Sequence, residues 1–361
     1  MPETPVETGG QRGYLRIATE EAFATTEQIA LYRELLEEPG VDPGFQSLMG
    51  FYINSTAERP RFIFENLQDL GDRRIAEMDA RGIDRQVIGI TAPGTHVLDR
   101  DRAVALARNA NDELAAACST HPDRFTGMAA CAPQDPLQAA AEIDRAVSEL
   151  GLRAVVYNSH VQGEYLDDQR FWPILEAAEA LDVPIYLHPN TPPADMIQPM
   201  LRAGLDGAIF GFGVETGMHA LRIITSGALD RFPRLQIILG HMGEALPFWL
   251  YRLDYMHQAT VKSGRYEAMR PLRRGAVSEY LRENFIITNS GVAWPDAIDF
   301  TQRVMGVERV MYAMDFPYQC PVEEVEELDR MDMPLDAKRA FFQTNAERVF
   351  GLAQPVDGGR A

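Results

Sequence analysis

Cysteine is scarce in this chain, and its positions match no bridging or metal-binding pattern. The 361 residues contain three, Cys118, Cys131 and Cys320, which are too widely spaced for a disulfide framework or a CxxC pair. A basic surplus is also lacking, because 34 Lys and Arg stand against 53 Asp and Glu for a formal net charge of −19. So acidic a chain is not expected to bind nucleic acid or an anionic membrane through its overall charge. An anionic small substrate would need a locally cationic pocket or a metal.

Long apolar runs, export signals and cofactor motifs are missing as well. No uncharged apolar window approaches the roughly 18 residues of a membrane span. The opening MPETPVETGG lacks the basic and apolar regions of a secretory signal. With the scattered cysteines, this predicts a cytoplasmic protein. There is no P-loop, no GxGxxG after a strand and no lysine motif for pyridoxal phosphate, so we expect no organic cofactor.

The chain does contain short apolar runs that alternate with longer segments of helical period. Helical spacing of apolar residues is clear between residues 101 and 118. Continuously apolar strands separated by amphipathic helices indicate a parallel sheet with helices on its outer face. The apolar runs are LRIAT (15–19), QVIGIT (86–91), FTGMAAC (125–131), AVVYNS (154–159), PIYLH (184–188), QIILGH (236–241), FIITNS (285–290) and RVMYAM (309–314).

Eight such strands fit one closed (β/α)8 barrel, the TIM barrel, better than an open sheet. We therefore expect an α/β protein with a single catalytic domain over residues 1–352. Residues 24–65 are too many for a simple connection, which predicts an insertion after the first strand that serves as a lid or a subunit contact. The tail 353–361 is predicted to be disordered.

Polar side chains follow four of the predicted strands. Glu20-Glu21 end the first, His188 the fifth, His241 and Glu244 the sixth, and Asp315 the eighth. The carboxyl ends of barrel strands meet at one rim, so residues distant in sequence converge there. Two carboxylates with one or two imidazoles make a divalent-metal site plausible, and such a ligand set suits Mn²⁺ or Mg²⁺ at least as well as Zn²⁺.

Each residue also has an ordinary structural interpretation. Either glutamate of the first strand would serve as a first-turn helix carboxylate or as the partner of an arginine. His188 would be a hydrogen-bonded core group, and Asp315 would cap a turn. His241 and Glu244 would be a strand end and a first-turn acid, although their spacing also lets Glu244 orient His241.

Several motifs together resemble the decarboxylase branch of the amidohydrolase superfamily. The similarity runs from about residue 9 to residue 352. Within the branch, which includes the 2,3-dihydroxybenzoate and γ-resorcylate decarboxylases, it is strongest to enzymes that act on 5-carboxyvanillate. The motifs are GGQRGYLRIATEEAFAT (9–25), LHP (187–189), GFGVETGMHALR (211–222), GHMGEALPFWLYRLDYMHQA (240–259), TNSGVAW (288–294), YAMDFPYQ (312–319) and FFQTNAE (341–347).

The resemblance implies a barrel of amidohydrolase type with one divalent ion at the strand ends. By match of motif, Glu20, His188 and Asp315 would be the metal ligands, and His241 and Glu244 would act with Asp315 in catalysis. One position departs from the pattern, because Ala22 stands where several of these decarboxylases carry a histidine. Three protein ligands with a single nitrogen favour Mn²⁺, with Zn²⁺ and Mg²⁺ as alternatives.

The implied activity is that of a carboxy-lyase. We expect metal-dependent, non-oxidative decarboxylation of an ortho-hydroxy aromatic acid, 5-carboxyvanillate to vanillate and CO₂, in lignin-derived aromatic catabolism. Asp315 would protonate the ring carbon that bears the carboxylate, and His241, oriented by Glu244, would bind the phenolate or carboxylate or relay protons. The alternatives are decarboxylation of a dihydroxybenzoate, a metal-dependent hydrolase such as a lactonase, and a barrel used only for binding.

Five further residues are candidates for binding the small anionic aromatic substrate. Arg59 and Arg252 would clamp its carboxylates, Tyr318 would donate a hydrogen bond, and Phe212 and Phe23 would line the ring pocket. The competing interpretations are surface ion pairs for the arginines and core packing for the aromatic residues. The resemblance also implies a homodimer or homotetramer.

Overall fold

The computed structural model describes residues 9–352, and its centre is one parallel sheet of eight strands in sequential order. Backbone hydrogen bonds from Thr19 to Tyr312 and from Ala22 to Phe316 join the last strand to the first and close the ring. The predicted (β/α)8 barrel is therefore confirmed. The strands are β1 (Ile17–Phe23), β2 (Arg85–Ile90), β3 (Phe125–Ala129), β4 (Ala154–Tyr157), β5 (Ile185–Leu187), β6 (Ile237–Leu239), β7 (Phe285–Thr288) and β8 (Val310–Met311).

The first strand differs from its sequence-based prediction. It was expected to end before the two glutamates, but β1 continues through both of them to Phe23 and is buried along its whole length. Its pairing with β2 shifts on the way, since Ala18 pairs with Gln86 whereas Glu21 pairs with Ile88. Three steps along β1 thus face two along β2, which is a β-bulge. Such a bulge re-aims the side chains of the bulged strand, and this one lies between Ala18 and Glu21.

Helices cover the outer face of the ring. The helix predicted between residues 101 and 118 is confirmed as Arg100–Thr120, which begins at Asp99, whose carboxylate accepts hydrogen bonds from two backbone amides. Within the described residues no helix is long and apolar enough to cross a membrane. The α-helices are Gly9–Arg12, Thr26–Glu37, Pro43–Asn54, Glu58–Leu67, Asp72–Arg81, Arg100–Thr120, Pro136–Ser148, Trp172–Ala180, Ala194–Ala203, Gly211–Thr225, Ala228–Arg231, Leu246–Ser263, Val277–Asn284, Pro295–Met305, Val322–Asp329, Leu335–Arg339 and Asn345–Val349.

The insertion after β1 is helical. It forms the helices Thr26–Glu37, Pro43–Asn54 and Glu58–Leu67. Ile29, Ile63 and Leu67 pack in a small cluster with residues at the end of β1, so the insertion rests on the mouth of the barrel. Its role as a lid or a subunit contact stays a prediction. The predicted disordered tail 353–361 lies outside the described residues.

Candidate active site

The structure brings four of the predicted residues together at the carboxyl rim of the barrel. Glu20 lies on β1, and its Oε1 is 3.5 Å from Nε2 of His188, after β5, and 3.9 Å from Nε2 of His241, after β6. Asp315, after β8, interacts electrostatically with Glu20 and His241. Burial, reinforced by the charge of Glu20, raises the pKa of Asp315 well above its usual range. The site therefore gathers two acidic side chains and two imidazoles at one end of the barrel.

The two carboxylate oxygens of Glu20 have different surroundings. Oε2 accepts hydrogen bonds from the hydroxyl of Tyr186 and, at 3.2 Å, from that of Thr288. Oε1 is buried and has no hydrogen-bond partner among the described residues. A buried carboxylate oxygen without a partner is costly, so a cation facing Oε1 would stabilise the arrangement.

His188 turns a lone pair toward that same oxygen. Its Nδ1 lies 2.9 Å from the carbonyl oxygen of Pro189, which can only accept, so Nδ1 carries the proton. Burial lowers the pKa of His188, which keeps the ring neutral. Nε2 is then an acceptor that faces another acceptor, Glu20 Oε1, 3.5 Å away.

This facing pair fits a divalent cation. Two ligand atoms that each lie about 2.1 Å from one ion are roughly 3.0–3.5 Å apart at the usual coordination angles. The carbonyl that fixes the tautomer of His188 is a typical outer partner of a metal-binding histidine. No three His, Cys, Asp or Glu side chains within residues 9–352 already stand together in ligand geometry. The fit therefore depends on the Glu20–His188 pair, with Asp315 beside it.

Glu21 faces away from Glu20 and holds the segment that carries Asp315. One oxygen accepts a hydrogen bond from the amide of Met314 at 3.1 Å, and the other accepts from the amide of Phe316 at 3.0 Å. These two amides flank Asp315, whose φ of 75° lies in the left-handed region. Burial raises the pKa of Glu21 to about 7, although the two amides and Arg74 oppose it. The adjacent glutamates thus have separate tasks.

The HMGE motif forms a strained left-handed turn. The five residues from His241 to Ala245 all have positive φ, between 51° and 74°. A left-handed conformation costs each residue other than glycine roughly 1–2 kcal/mol, so the surroundings must hold this turn. The turn brings Oε1 of Glu244 to 3.1 Å from Nδ1 of His241. Glu244 therefore orients the imidazole, as the spacing suggested.

His241 carries a positive charge in this setting. Burial by itself would lower the pKa of His241, but the carboxylates of Glu20 and Glu244 outweigh it and raise the pKa to about 10. Its Nε2 points toward the Glu20 side of the site. A cationic imidazole beside the rim can stabilise an anionic oxygen of a bound ligand.

Arg59 and Tyr318 lie next to this group. The guanidinium of Arg59, which comes from the insertion, donates a 2.8 Å hydrogen bond to the carbonyl of Tyr318 and interacts electrostatically with Asp315. The Tyr318 hydroxyl is 2.6 Å from that of Thr91. The arginine is exposed, so it can meet a ligand that enters the mouth.

Arg252 is not brought to the site of its own chain. It lies exposed on the helix Leu246–Ser263 and has no hydrogen bond or ion pair with any described residue. The same helix exposes four large aromatic side chains, with Phe248 75%, Trp249 51%, Tyr251 83% and Tyr255 62% accessible.

The two predicted phenylalanines have different positions. Phe212 is half-buried and lines a cavity of about 630 Å³ that also contacts His241 and Glu244. This cavity is lined mainly by apolar residues, Trp249 among them. Phe23 is 1% exposed and belongs to the barrel core, so the packing interpretation applies to it and its predicted place in the ring pocket is corrected.

The residues that hold the two glutamates were not predicted from the sequence. Tyr186 and Thr288 bind Glu20, and Gln86, which is itself bound by the fully buried Arg74, donates a hydrogen bond to Glu21. One signal was available, since Tyr186 lies two residues before His188, which is the spacing of side chains on one face of an extended segment. The others needed the fold, because their partners are distant in sequence.

Comparison with known proteins agrees with this geometry. The sequence model of the amidohydrolase family matches residues 64–352. The structure of 5-carboxyvanillate decarboxylase from Novosphingobium aromaticivorans, complexed with manganese and 4-hydroxy-3-methoxy-5-nitrobenzoic acid, is 57% identical, with a TM-score of 0.95 over 96% of this chain and 99% of that one.

Two more distant relatives are similar over most of their length. The 5-carboxyvanillate decarboxylase LigW from Sphingomonas paucimobilis is 37% identical, with a TM-score of 0.87 over 94% of this chain and 100% of that one. The γ-resorcylate decarboxylase of Polaromonas sp. strain JS666 is 36% identical over 79% of this chain and 89% of its own length.

Proposed function

Because the chain belongs to the amidohydrolase family, we propose that it is a carboxy-lyase that removes CO₂ from an ortho-hydroxy aromatic acid with the help of one divalent cation. The observation that carries this proposal is the facing pair of acceptors, Glu20 Oε1 and His188 Nε2, 3.5 Å apart at the barrel mouth. A cation between two acceptors so close would stabilise both, and the relatives of known structure support its identity and the reaction.

We propose Mn²⁺ as that cation, since the 57% identical relative was solved with manganese. Glu20, His188 and Asp315 would hold it, with Zn²⁺ and Mg²⁺ as weaker candidates. When bound, the cation supplies positive charge that can draw the substrate's phenolate and carboxylate oxygens and stabilise the phenolate as charge shifts. The small methyl of Ala22 leaves room on the β1 side for such a chelating substrate.

Asp315 would be the proton donor in this reaction. Burial and the charge of Glu20 raise its pKa, whereas a cation bound to it would oppose that rise, so Asp315 would carry the proton on the oxygen that does not face the cation. Glu21 holds the backbone on both sides of it. The proton goes to the ring carbon that bears the carboxylate. The bond from that carbon to the carboxylate then breaks, its electron pair restores the aromatic ring, and CO₂ leaves. Cationic His241, oriented by Glu244, would stabilise the phenolate oxygen.

The substrate we propose is 5-carboxyvanillate, with vanillate as product, in the catabolism of lignin-derived aromatics in the cytoplasm. The 57% identical relative supports this choice. Phe212 would line the ring pocket, and Arg59 and Tyr318 would contact the substrate's polar groups. A dihydroxybenzoate is the second candidate, favoured by the 36% identical γ-resorcylate decarboxylase.

We also propose that the enzyme works as a homodimer or homotetramer. The outward face of the helix Leu246–Ser263 supports this, because it exposes several large apolar side chains around Arg252. Exposed apolar patches of this kind mark contact surfaces. On such a surface Arg252 would meet a second copy of the chain and could reach the substrate of that copy. In the insertion, by contrast, Phe51 is the large apolar side chain that is exposed.

The test is an assay of the Mn²⁺-loaded protein on 5-carboxyvanillate and on 2,3- and 2,6-dihydroxybenzoate. We expect loss of absorbance of the carboxylated phenol with release of one CO₂ per substrate, fastest on 5-carboxyvanillate. Preference for a dihydroxybenzoate would change the substrate but keep the reaction. Release of a ring-opened acid from a lactone substrate, with no CO₂ from any of the three acids, would replace the lyase by the hydrolase alternative.

A further inference from the structure

Glu20 is held on one side by a wall built from three neighbouring strands. The hydroxyls of Tyr186 on β5 and Thr288 on β7 both donate to Oε2, and they are 2.9 Å from each other. Both side chains are fully buried. Between these strands, Gly240 follows β6, and a Cβ at that position would lie 2.6 Å from Oε2. The wall therefore fits the carboxylate closely.

This wall determines which carboxylate oxygen of Glu20 is available to a cation. Two hydroxyl protons and a close backbone hold Oε2, whereas Oε1 has no partner and faces His188 and His241. A carboxylate held in this way cannot turn both oxygens toward an ion. It can contribute one ligand atom, in one direction, and the positions that a second oxygen would fill stay free for a chelating substrate.

We propose that Tyr186 and Thr288 are positioning residues that hold Glu20 as a ligand with a single oxygen and thereby set the affinity of the mouth for its cation. This inference rests on the proposed function, since it concerns the cation proposed there. Outer residues that orient a metal ligand are typically worth about 10–100-fold in metal affinity. Neither residue touches the substrate in this account, so each acts through Glu20.

The chain contains a matched control for Tyr186. Tyr157 lies on the neighbouring strand β4 and is also fully buried, but its hydroxyl has no hydrogen-bond partner among the described residues. Tyr157→Phe and Tyr186→Phe delete the same atom from equally buried positions in adjacent strands. Only the second removes a donor from Glu20, so the difference between them isolates the positioning effect from loss of packing.

The experiment is a titration of the metal-free full chain with MnCl₂, in which free Mn²⁺ is measured by electron paramagnetic resonance. We expect one site per chain in the unchanged protein. Tyr186→Phe and Thr288→Val should each raise Kd for Mn²⁺, and the double variant should raise it by about 10–100-fold. Tyr157→Phe should stay within about twofold, and Thr288→Ser, which restores the hydroxyl, should recover the affinity lost in Thr288→Val.

The outcomes separate this inference from the proposed function. If the unchanged protein binds one Mn²⁺ but Tyr186→Phe and Thr288→Val bind as tightly as Tyr157→Phe, the positioning role is wrong and the proposed function stands. If the unchanged protein binds no Mn²⁺, both are overturned. Should Tyr186→Phe fail to fold, the Thr288→Val and Thr288→Ser pair decides alone, because equal affinities in that pair would contradict the inference.

Discussion

The mouth and the base of the barrel treat left-handed backbone differently. Among residues 9–352, eight residues other than glycine have positive φ, and seven of them follow the carboxyl ends of strands. The exception at the base is Asp182, which precedes β5. Connections at the base otherwise use glycine for the same conformation, as at Gly82, Gly151 and Gly306. The seven at the mouth are Ser159, Gln162, His241, Met242, Glu244, Ala245 and Asp315.

This difference shows where stability is given up for chemistry. Glycine adopts a left-handed conformation without steric cost, so the turns at the base that use glycine carry little backbone strain. The mouth needs an imidazole at residue 241 and carboxylates at residues 244 and 315, which glycine cannot provide. It therefore accepts roughly 1–2 kcal/mol of strain at each such residue, and neighbours such as Glu21 keep the segments in place.

The largest effect we predict comes from Asp315→Asn at the mouth. Asparagine keeps the shape but has no proton of suitable acidity to give to the ring carbon, so kcat should fall by about 10²–10⁴-fold. Turnover is measured on 5-carboxyvanillate, with manganese content and melting temperature recorded for the same sample. A variant with metal bound and nearly normal kcat would show that another group donates the proton.

The next effect concerns the residue that holds the Asp315 segment. In Glu21→Gln the amide nitrogen cannot accept the hydrogen bond of one of the two flanking amides, so the left-handed segment should loosen. We expect kcat to fall by about 10-fold or more, with KM changed less.

Glu142→Gln is the control for that variant. Glu142 is a buried glutamate on the helix Pro136–Ser148, where Asn111 and Arg145 donate hydrogen bonds to it. Its replacement should lower the melting temperature without lowering kcat. Equal kcat values in the two variants would remove Glu21 from the active-site account.

A pH effect on stability should come from Glu215, a buried acid near Glu244. Burial raises the pKa of Glu215 to about 8 from 4.5. The folded state then binds a proton that the unfolded state releases, so this group lowers the free energy of unfolding as pH rises from about 4.5 to about 8. Glu215→Gln cannot ionise and should flatten that decline, with a gain of up to a few kcal/mol at pH 8.

Urea unfolding of both proteins at pH 5 and pH 8 measures this difference. The unchanged protein should lose more stability between the two values than the glutamine variant. Parallel losses in the two proteins would mean that Glu215 ionises as readily in the folded chain as in the unfolded one.

The smallest predicted effects come from substitutions at one left-handed residue at the base of the barrel and one at its mouth. Gly151 at the base has φ of 74° and open space around it, so Gly151→Ala should lower the free energy of unfolding by about 1 kcal/mol and leave kcat unchanged.

Ala245→Gly at the mouth relieves strain, so it should raise the free energy of unfolding by about 1 kcal/mol but lower kcat by loosening the turn that holds His241. Unfolding and turnover are measured for both. Unchanged kcat in Ala245→Gly would show that the strained turn is not needed.

The barrel and its polar rim were predictable, whereas the division of roles within the rim was not. Continuous apolar runs and helical periods predict the eight strands, and strand ends predict the rim. Adjacent residues of a strand face opposite sides, so one glutamate was bound to face inward, but which of the two does so depends on the register of β1 with β2, which sequence alone does not specify. Arg252 illustrates the same limit, because its helix directs it to the surface.

The measurement that tests the central claim most directly is the dependence of turnover on bound metal. Metal-free protein is titrated with Mn²⁺ while manganese content and CO₂ release from 5-carboxyvanillate are followed together, beside His188→Ala. The account predicts no turnover without metal, activity that rises in proportion to bound manganese up to one ion per chain, and weak binding by His188→Ala. Full turnover by a protein free of all metal would contradict it.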